Sequence, residues 1–350
     1  MSLALLLGGV NAACINYRPA PAALAPALSA GAPSQVWSAR AGRRFTGPLR
    51  LDGTMLYGAG VDRKVYAVDL ETGQVQWSQR LAGIVAGGVL VSGDTVYAAS
   101  SRPEGRVYAL DRATGRRHWK QKTGPVGAPL GLSGGTLIVA TQRGDLIGLE
   151  QTTGNERWRR RLGTARVAPV DAGDGAVLIA TVDSVFRVNG VDGRVLRRAR
   201  SPGAVVSPWI AYGGTFVAGT TDSQVVALDP ADLDVRWSVR VDAPVLGSPA
   251  AAGDTLYVAT RRGTLYRIAS GSPRRAERVV ELEWPVTAPV SIVRGRILLG
   301  GADGQVRALT ADGSELWRVQ LRRPIELGPV VLDDGMLAVG GEGDLHRYRP

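Results

Sequence analysis

Tryptophan sets the scale on which this chain can fold. Trp37, Trp77, Trp119, Trp158, Trp237 and Trp317 are separated by 40, 42, 39, 79 and 80 residues. The two double gaps skip positions near Arg197 and Glu277, so a period of about 40 residues has eight registers. Proline keeps the same time at Pro48, Pro129, Pro169, Pro208, Pro249, Pro289 and Pro329, with Gly88 in the one vacancy. A proline is tolerated at the first residue of a strand, where no ladder N–H is needed. Short polar or glycine turns form a third series, before Thr54, Thr95, Thr136, Ala176, Thr215, Thr255, Arg296 and Met336. Short apolar runs such as Leu56-Tyr57, Val96-Tyr97 and Leu256-Tyr257 follow these turns.

Each period reads as four short strands: one after the proline, one after the turn, a third such as Val65–Val68, and a fourth around the tryptophan. Four antiparallel strands per 40-residue unit make a propeller blade. A solenoid of the same period would need polar capping repeats at its ends. Here the last unit stops after its third strand, and a spare fourth strand, Gln35-Val36-Trp37-Ser38, precedes the first unit. The expected fold is therefore an all-β, eight-bladed propeller over residues 35–350, with residues 35–40 pairing with 344–349. Closing the ring in this way removes strand edges that would otherwise invite aggregation.

The N-terminus reads as an export signal. Leu3–Val10 is an apolar run of signal-peptide length, and Asn11-Ala12-Ala13-Cys14 follows it. Cys14 is the sole cysteine, which excludes an internal disulfide framework and any multi-cysteine metal site. The stretch resembles a bacterial lipobox, which implies signal peptide 1–13 and acylation of Cys14. Residues 14–34, rich in Ala and Pro, are expected to be an extended tether. A plain secreted tail is the other possibility.

Ala67-x-Asp69-x-x-Thr72-Gly73-x-x-x-Trp77 recurs as Ala109 to Trp119 and, with Gly148 and Glu150, as Gly148 to Trp158. Later units drift: Leu233 replaces the glycine in the fifth, and the seventh is one residue shorter. The motif resembles the repeat of the pyrroloquinoline-quinone (PQQ) propeller family. That resemblance implies that Trp37, Trp77, Trp119, Trp158, Trp237 and Trp317 are docking residues between blades. From physics alone the motif needs no cofactor, since Thr-Gly supplies a turn with positive φ and a large aromatic fills the widening gap between outer strands. The short, tethered, eight-unit form is similar to the BamB family of outer-membrane lipoproteins. This implies a non-catalytic scaffold on the periplasmic face of the outer membrane that binds the barrel-assembly subunit. A PQQ-dependent dehydrogenase or a propeller binding cell-wall polymer are the alternatives.

No constellation in the sequence argues for catalysis. His118 and His346, the two histidines, read as strand positions, and no cofactor or metal ligand set stands out. The net charge of +11 comes almost wholly from arginine. It favours acidic partners in principle, but interspersed acids and expected export speak against nucleic acid. The expected state is a monomeric ring that meets the membrane only through a lipid anchor. Connections between blades share one face with the turns between second and third strands. On that face Arg166-Val167, Trp284 and Arg322-Arg323-Pro324-Ile325 look exposed. Trp284, Arg322 and Arg323 are the candidate partner-binding residues, because aromatics and arginines dominate binding hot spots; the other reading of Trp284 is that it covers the rim where the sixth unit lacks its docking tryptophan.

Overall fold

The computed structural model describes residues 33–349 apart from 102–103, 166–167, 272–273, 283, 287, 294, 322, 333–334 and 341. Its strands form eight four-stranded antiparallel sheets, each a simple meander. Blade one is Arg50–Asp52, Met55–Ala59, Lys64–Asp69 and Val75–Arg80. Blades two to seven occupy 85–122, 131–161, 170–200, 210–240, 250–281 and 291–320. Blade eight combines Ile325–Leu332, Gly335–Gly340 and Asp344–Arg349 with the N-terminal strand Ser34–Arg40. The last pairing runs from Ser34 opposite Arg349 to Arg40 opposite Asp344, so the two ends of the chain close the ring as the repeat count requires.

The proline register lies at the inner end of the blades. Most of its prolines stand just before a short first strand, but Pro329 sits inside Ile325–Leu332. Gly88 likewise lies inside Val85–Ser92. In both strands the pairing shifts there, between Leu327 and Val330 and between Ala86 and Val89. A bulge of this kind lets a strand run on past the point where the others break. First-to-second-strand hairpins turn through glycines such as Gly53 and Gly93, with φ of +59° and +55°, the left-handed backbone that tight hairpins demand.

The core is divided into interfaces between neighbouring blades. Tyr57, Ala59, Val65 and Ala67 of blade one pack with Val96, Ala98, Tyr108 and Leu110 of blade two. At the closing seam Phe45, Leu56, Tyr66 and Val68 pack with Leu332 and Leu345. Central strands are buried on both faces and therefore read as near-continuous apolar runs, while fourth strands alternate because one face meets solvent.

Candidate functional site: the seam and the interblade face

The repeat motif first builds the joints between blades. In blade one the Asp69 carboxylate accepts hydrogen bonds from the Thr72 backbone N–H at 2.8 Å and its hydroxyl at 2.9 Å. These two bonds, the backbone one foremost, hold the Asp69 carboxyl below its usual range. Gly73 then turns at φ +74°, and a Cβ there would lie 2.9 Å from the Trp37 ring. Trp37 therefore lies flat on the glycine of the next blade, and its Nε1–H donates to the Leu70 carbonyl at 2.9 Å.

The next three joints repeat this arrangement. Trp77 lies on Gly115, Trp119 on Gly154 and Trp158 on Gly193. Their indoles donate to the carbonyls of Arg112, Gln151 and Gly190 at 3.0, 3.3 and 3.1 Å. The tyrosines of the apolar runs join in: Tyr57 and Tyr97 donate to the same Arg112 and Gln151 carbonyls at 3.4 and 3.1 Å.

Where the motif decays, neighbouring residues take over. Arg197 replaces the blade-four tryptophan, and its Nε donates to the Asp232 carbonyl at 3.2 Å. The glycine it would have covered is Leu233, buried and at φ +64°. The missing indole and the extra side chain compensate each other, at the cost of a left-handed non-glycine residue. In blade six, Glu277 pairs with Arg267 at 2.7 Å, and Val279 and Val280 fill the space against Gly313. Trp237 is capped by Arg274, whose guanidinium stands 4.8 Å above the ring. Trp317 is buried, with no acceptor for its Nε1 among the described residues.

The seam carries an additional device. Arg347 lies opposite Trp37, where other blades place Ala67, Ala109, Ala227 or Ala308 opposite their tryptophans. Its guanidinium is 1% exposed. It donates to the Leu70 carbonyl at 2.7 Å and to Glu71 at 2.9 Å. Arg349 meets the same Glu71 at 3.1 Å. The last strand of the chain is thus tied to the first blade by two arginines.

The interblade face is shaped by four buried threonines. Thr141, Thr181, Thr220 and Thr260 follow the second strands of blades three to six. Their hydroxyls accept backbone N–H bonds from Asp145, Ser184, Gln224 and Thr264 at 3.0–3.3 Å. Pinning these turns holds up tips such as Gln142-Arg143 and Arg261-Arg262.

On this face, at the seam, a pocket of about 580 Å³ is lined by Arg40, Arg43, Arg44, Val61, Arg323, Pro324 and Glu342. Glu342 is shared by Arg323 at 2.8 Å and Arg40 at 3.3 Å. Four arginines and one carboxylate line the pocket, with Asp344 4.0 Å from Arg40 beside it, so the lining is net positive. A smaller hollow of about 440 Å³ between blades one and two, on the opposite face, differs: Arg112 there is matched by Asp52 and Asp94.

Arg323 thus belongs to the pocket, while Arg322, Arg166 and Val167 lie outside the described residues, as does Cys14. The apparent exposure of Trp284 is corrected by the structure. Its ring is 6% exposed, lies against Gly301, and is covered by the Arg307 guanidinium at 4.9 Å. It sits beneath the second-to-third-strand turn of blade seven, in the core cluster against which Val279 and Val280 pack. Ile325 is also buried. Sequence reasoning missed Arg40, Arg43 and Arg44, and also the threonine series, which recurs at 40, 39 and 40 residues.

His118 stands 3.7 Å from Asp111, and His346 stands 3.4 Å from Gln35. Among the described residues no three His, Cys, Asp or Glu side chains converge to hold a metal ion. Among the described residues the donors for a calcium-bound quinone are not gathered.

A family model described as outer membrane protein assembly factor BamB matches residues 24–103, 103–232 and 192–281. A crystal structure of BamB from Moraxella catarrhalis superposes with a TM-score of 0.77 at 16% identity, covering 91% of this chain and all (100%) of that one. The computationally designed protein Ika8 is similar, with a TM-score of 0.74 at 14% identity, covering 89% and 98% of the two chains. Quinohemoprotein alcohol dehydrogenase from Comamonas testosteroni gives 0.72 at 14% identity, covering 90% of this chain and 76% of its own. Among curated protein sequences none matches this chain. At such identities the structural likenesses carry the fold alone.

Proposed function

The chain belongs to the family of the outer membrane protein assembly factor BamB, and from that premise we propose that it is a non-catalytic envelope scaffold whose seam pocket receives a periplasmic protein of the outer-membrane assembly machinery. The observation that carries the reading is the pocket itself: four arginines and one glutamate line it, on the face from which the blade connections emerge. Arginine forks of this kind suit carboxylates on an acidic protein surface. Arg323 is the anchor common to this pocket and to the sequence reading, with Arg322 next to it in the chain. Trp284 contributes from below by fixing Arg307 and the blade-seven turn. Cys14 is the proposed acylation site, with 1–13 as signal peptide and 14–34 as tether, which would hold the ring on the periplasmic face of the outer membrane.

The test is affinity capture with the barrel-assembly subunit as prey. The Arg43→Glu, Arg44→Glu, Arg323→Glu variant is expected to recover at least tenfold less prey than wild type, with an unchanged melting temperature. Equal recovery would refute the seam pocket as the binding site.

A further inference from the structure

The fourth strands form the outer wall of the ring, and their charge is distributed unevenly around it. Blades two, three and four end in Arg117–Lys122 (RHWKQK), Glu156–Arg161 (ERWRRR) and Val195–Arg200 (VLRRAR). These 18 positions hold ten Lys or Arg side chains, all exposed, and one acid, Glu156. The corresponding strands of blades six and seven, AERVVE and ELWRVQ, hold two arginines against three glutamates.

Edge cations commonly protect a strand from pairing with another chain. That need is the same in all eight blades, so it does not account for crowding on three adjacent ones. Neutralisation by neighbours is also incomplete. Arg157, Arg159 and Arg161 meet Glu150, Asp145 and Glu156. Among the described residues Arg160 and Arg197 reach only backbone carbonyls, and Arg198 reaches the Ser184 hydroxyl. Arg117, Lys120, Lys122 and Arg200 form no ion pair among the described residues.

At the lower end of this wall, where the third strand of blade four turns into the fourth, Val191, Val195 and Leu196 are 53%, 40% and 39% exposed. The wall offers no exposed aromatic anchor and no enclosed pocket, so it lacks what a protein hot spot or a base-stacking platform needs. Diffuse cations above a small apolar lip match the boundary of an anionic bilayer, with phosphates outside and acyl chains beneath.

We propose that the outer wall of blades two to four docks edge-on against an anionic phospholipid surface, its arginines and lysines on the phosphates and the Val191–Val195–Leu196 lip at the acyl boundary. In this pose the ring axis tilts out of the membrane plane, so that the lip, at the end of the wall away from the interblade face, goes in deepest. The interblade face with the seam pocket stays open, so lipid docking and partner binding do not compete.

The test uses the full chain carrying Cys14→Ser, so that no acyl group contributes, in co-sedimentation with vesicles of phosphatidylcholine alone or with about one-third phosphatidylglycerol. A wall variant replaces Arg117, Lys120, Lys122, Arg160 and Arg200 by Gln. A control replaces Arg80, Arg240, Arg261, Arg262 and Arg275 by Gln, lowering the net charge by the same amount elsewhere on the ring. A lip variant carries Val191→Ser and Leu196→Ser, which remove the apolar surface and leave the charge unchanged. Wild type and control are expected to bind anionic vesicles at least tenfold more tightly than neutral ones, with binding abolished by high salt. The wall variant should lose at least tenfold. The lip variant should lose severalfold on vesicles while holding a 30-base-pair DNA duplex as well as wild type does. Equal losses in wall and control variants, equal binding to neutral vesicles, or a lip variant unaffected on vesicles would each overturn the proposal. Failure here would leave the seam-pocket reading untouched, since the two residue sets do not overlap.

Discussion

Replacing Arg347 by Ala should unfasten the ring at its seam. The guanidinium is 1% exposed and makes charge-assisted hydrogen bonds to Leu70 and Glu71. Removing one partner of a buried pair costs about 3–5 kcal/mol. Glu71 is 53% exposed and regains water when its partner leaves, and the Leu70 carbonyl keeps the Trp37 indole. Both facts put the expected cost at the low end, about 3 kcal/mol. Alanine matches the small residue found opposite the tryptophans of other blades, but emptying the space of a fully buried arginine adds a cavity cost that keeps the loss from falling below this. An unfolding entropy of about 2 cal/mol/K per residue over a ring of this length turns that loss into a drop in Tm of about 4–5 °C. Calorimetry reads the shift directly. Hydrogen exchange should locate it, with faster exchange across Ser34–Arg40 and Asp344–Arg349 and little change in blades three to six. Glu71→Gln keeps an acceptor and should cost about 1 kcal/mol. An Arg347→Ala protein melting within a degree of wild type, with undiminished protection of Ser34–Arg40, would refute the argument that this arginine holds the seam.

Two other expectations follow from the same joints. Arg197→Trp alone should destabilise, because Leu233 occupies the space an indole needs. Combined with Leu233→Gly it should recover, giving a coupling of about 1–3 kcal/mol in a thermal double-mutant cycle; additive effects would contradict the compensation. His346, paired across the seam with Ser38, has its pKa lowered by burial, with Asp344 pulling weakly the other way. A histidine held below its unfolded pKa contributes stability that is full above about pH 6.5 and is lost as the pH falls through the lower folded value. Wild-type Tm should therefore fall between pH 7 and 5 more steeply than that of His346→Gln; parallel pH profiles would count against it.

Most of the architecture is legible in the sequence, because a repeat samples the same physics many times. Each tryptophan, proline or turn is weak evidence alone, but eight copies in register specify the blade, and a missing strand at one end specifies closure. The site is harder to read for the opposite reason. Arg40, Arg43 and Arg44 meet Arg323 and Glu342 only because the ring closes, and nothing local marks either segment. Trp284 falls outside the period, and the group that covers it, Arg307, comes from the following blade. Its burial is therefore a tertiary fact with no local pattern. Leu233 stands out in the sequence as a leucine in a register of glycines, and Arg347 could have been noticed as an arginine opposite a docking tryptophan, where the other such blades have alanine or glycine. The residues that compensate for them lie on other blades.

The most direct test of the scaffold account is hydrogen exchange of the ring with and without the periplasmic domains of the barrel-assembly subunit. The account predicts added protection at 40–44, around Val61 and at 323–324 with Glu342, and none across Arg117–Lys122 or Glu156–Arg161. Protection confined to the outer wall, or to the turns of the opposite face, would contradict it.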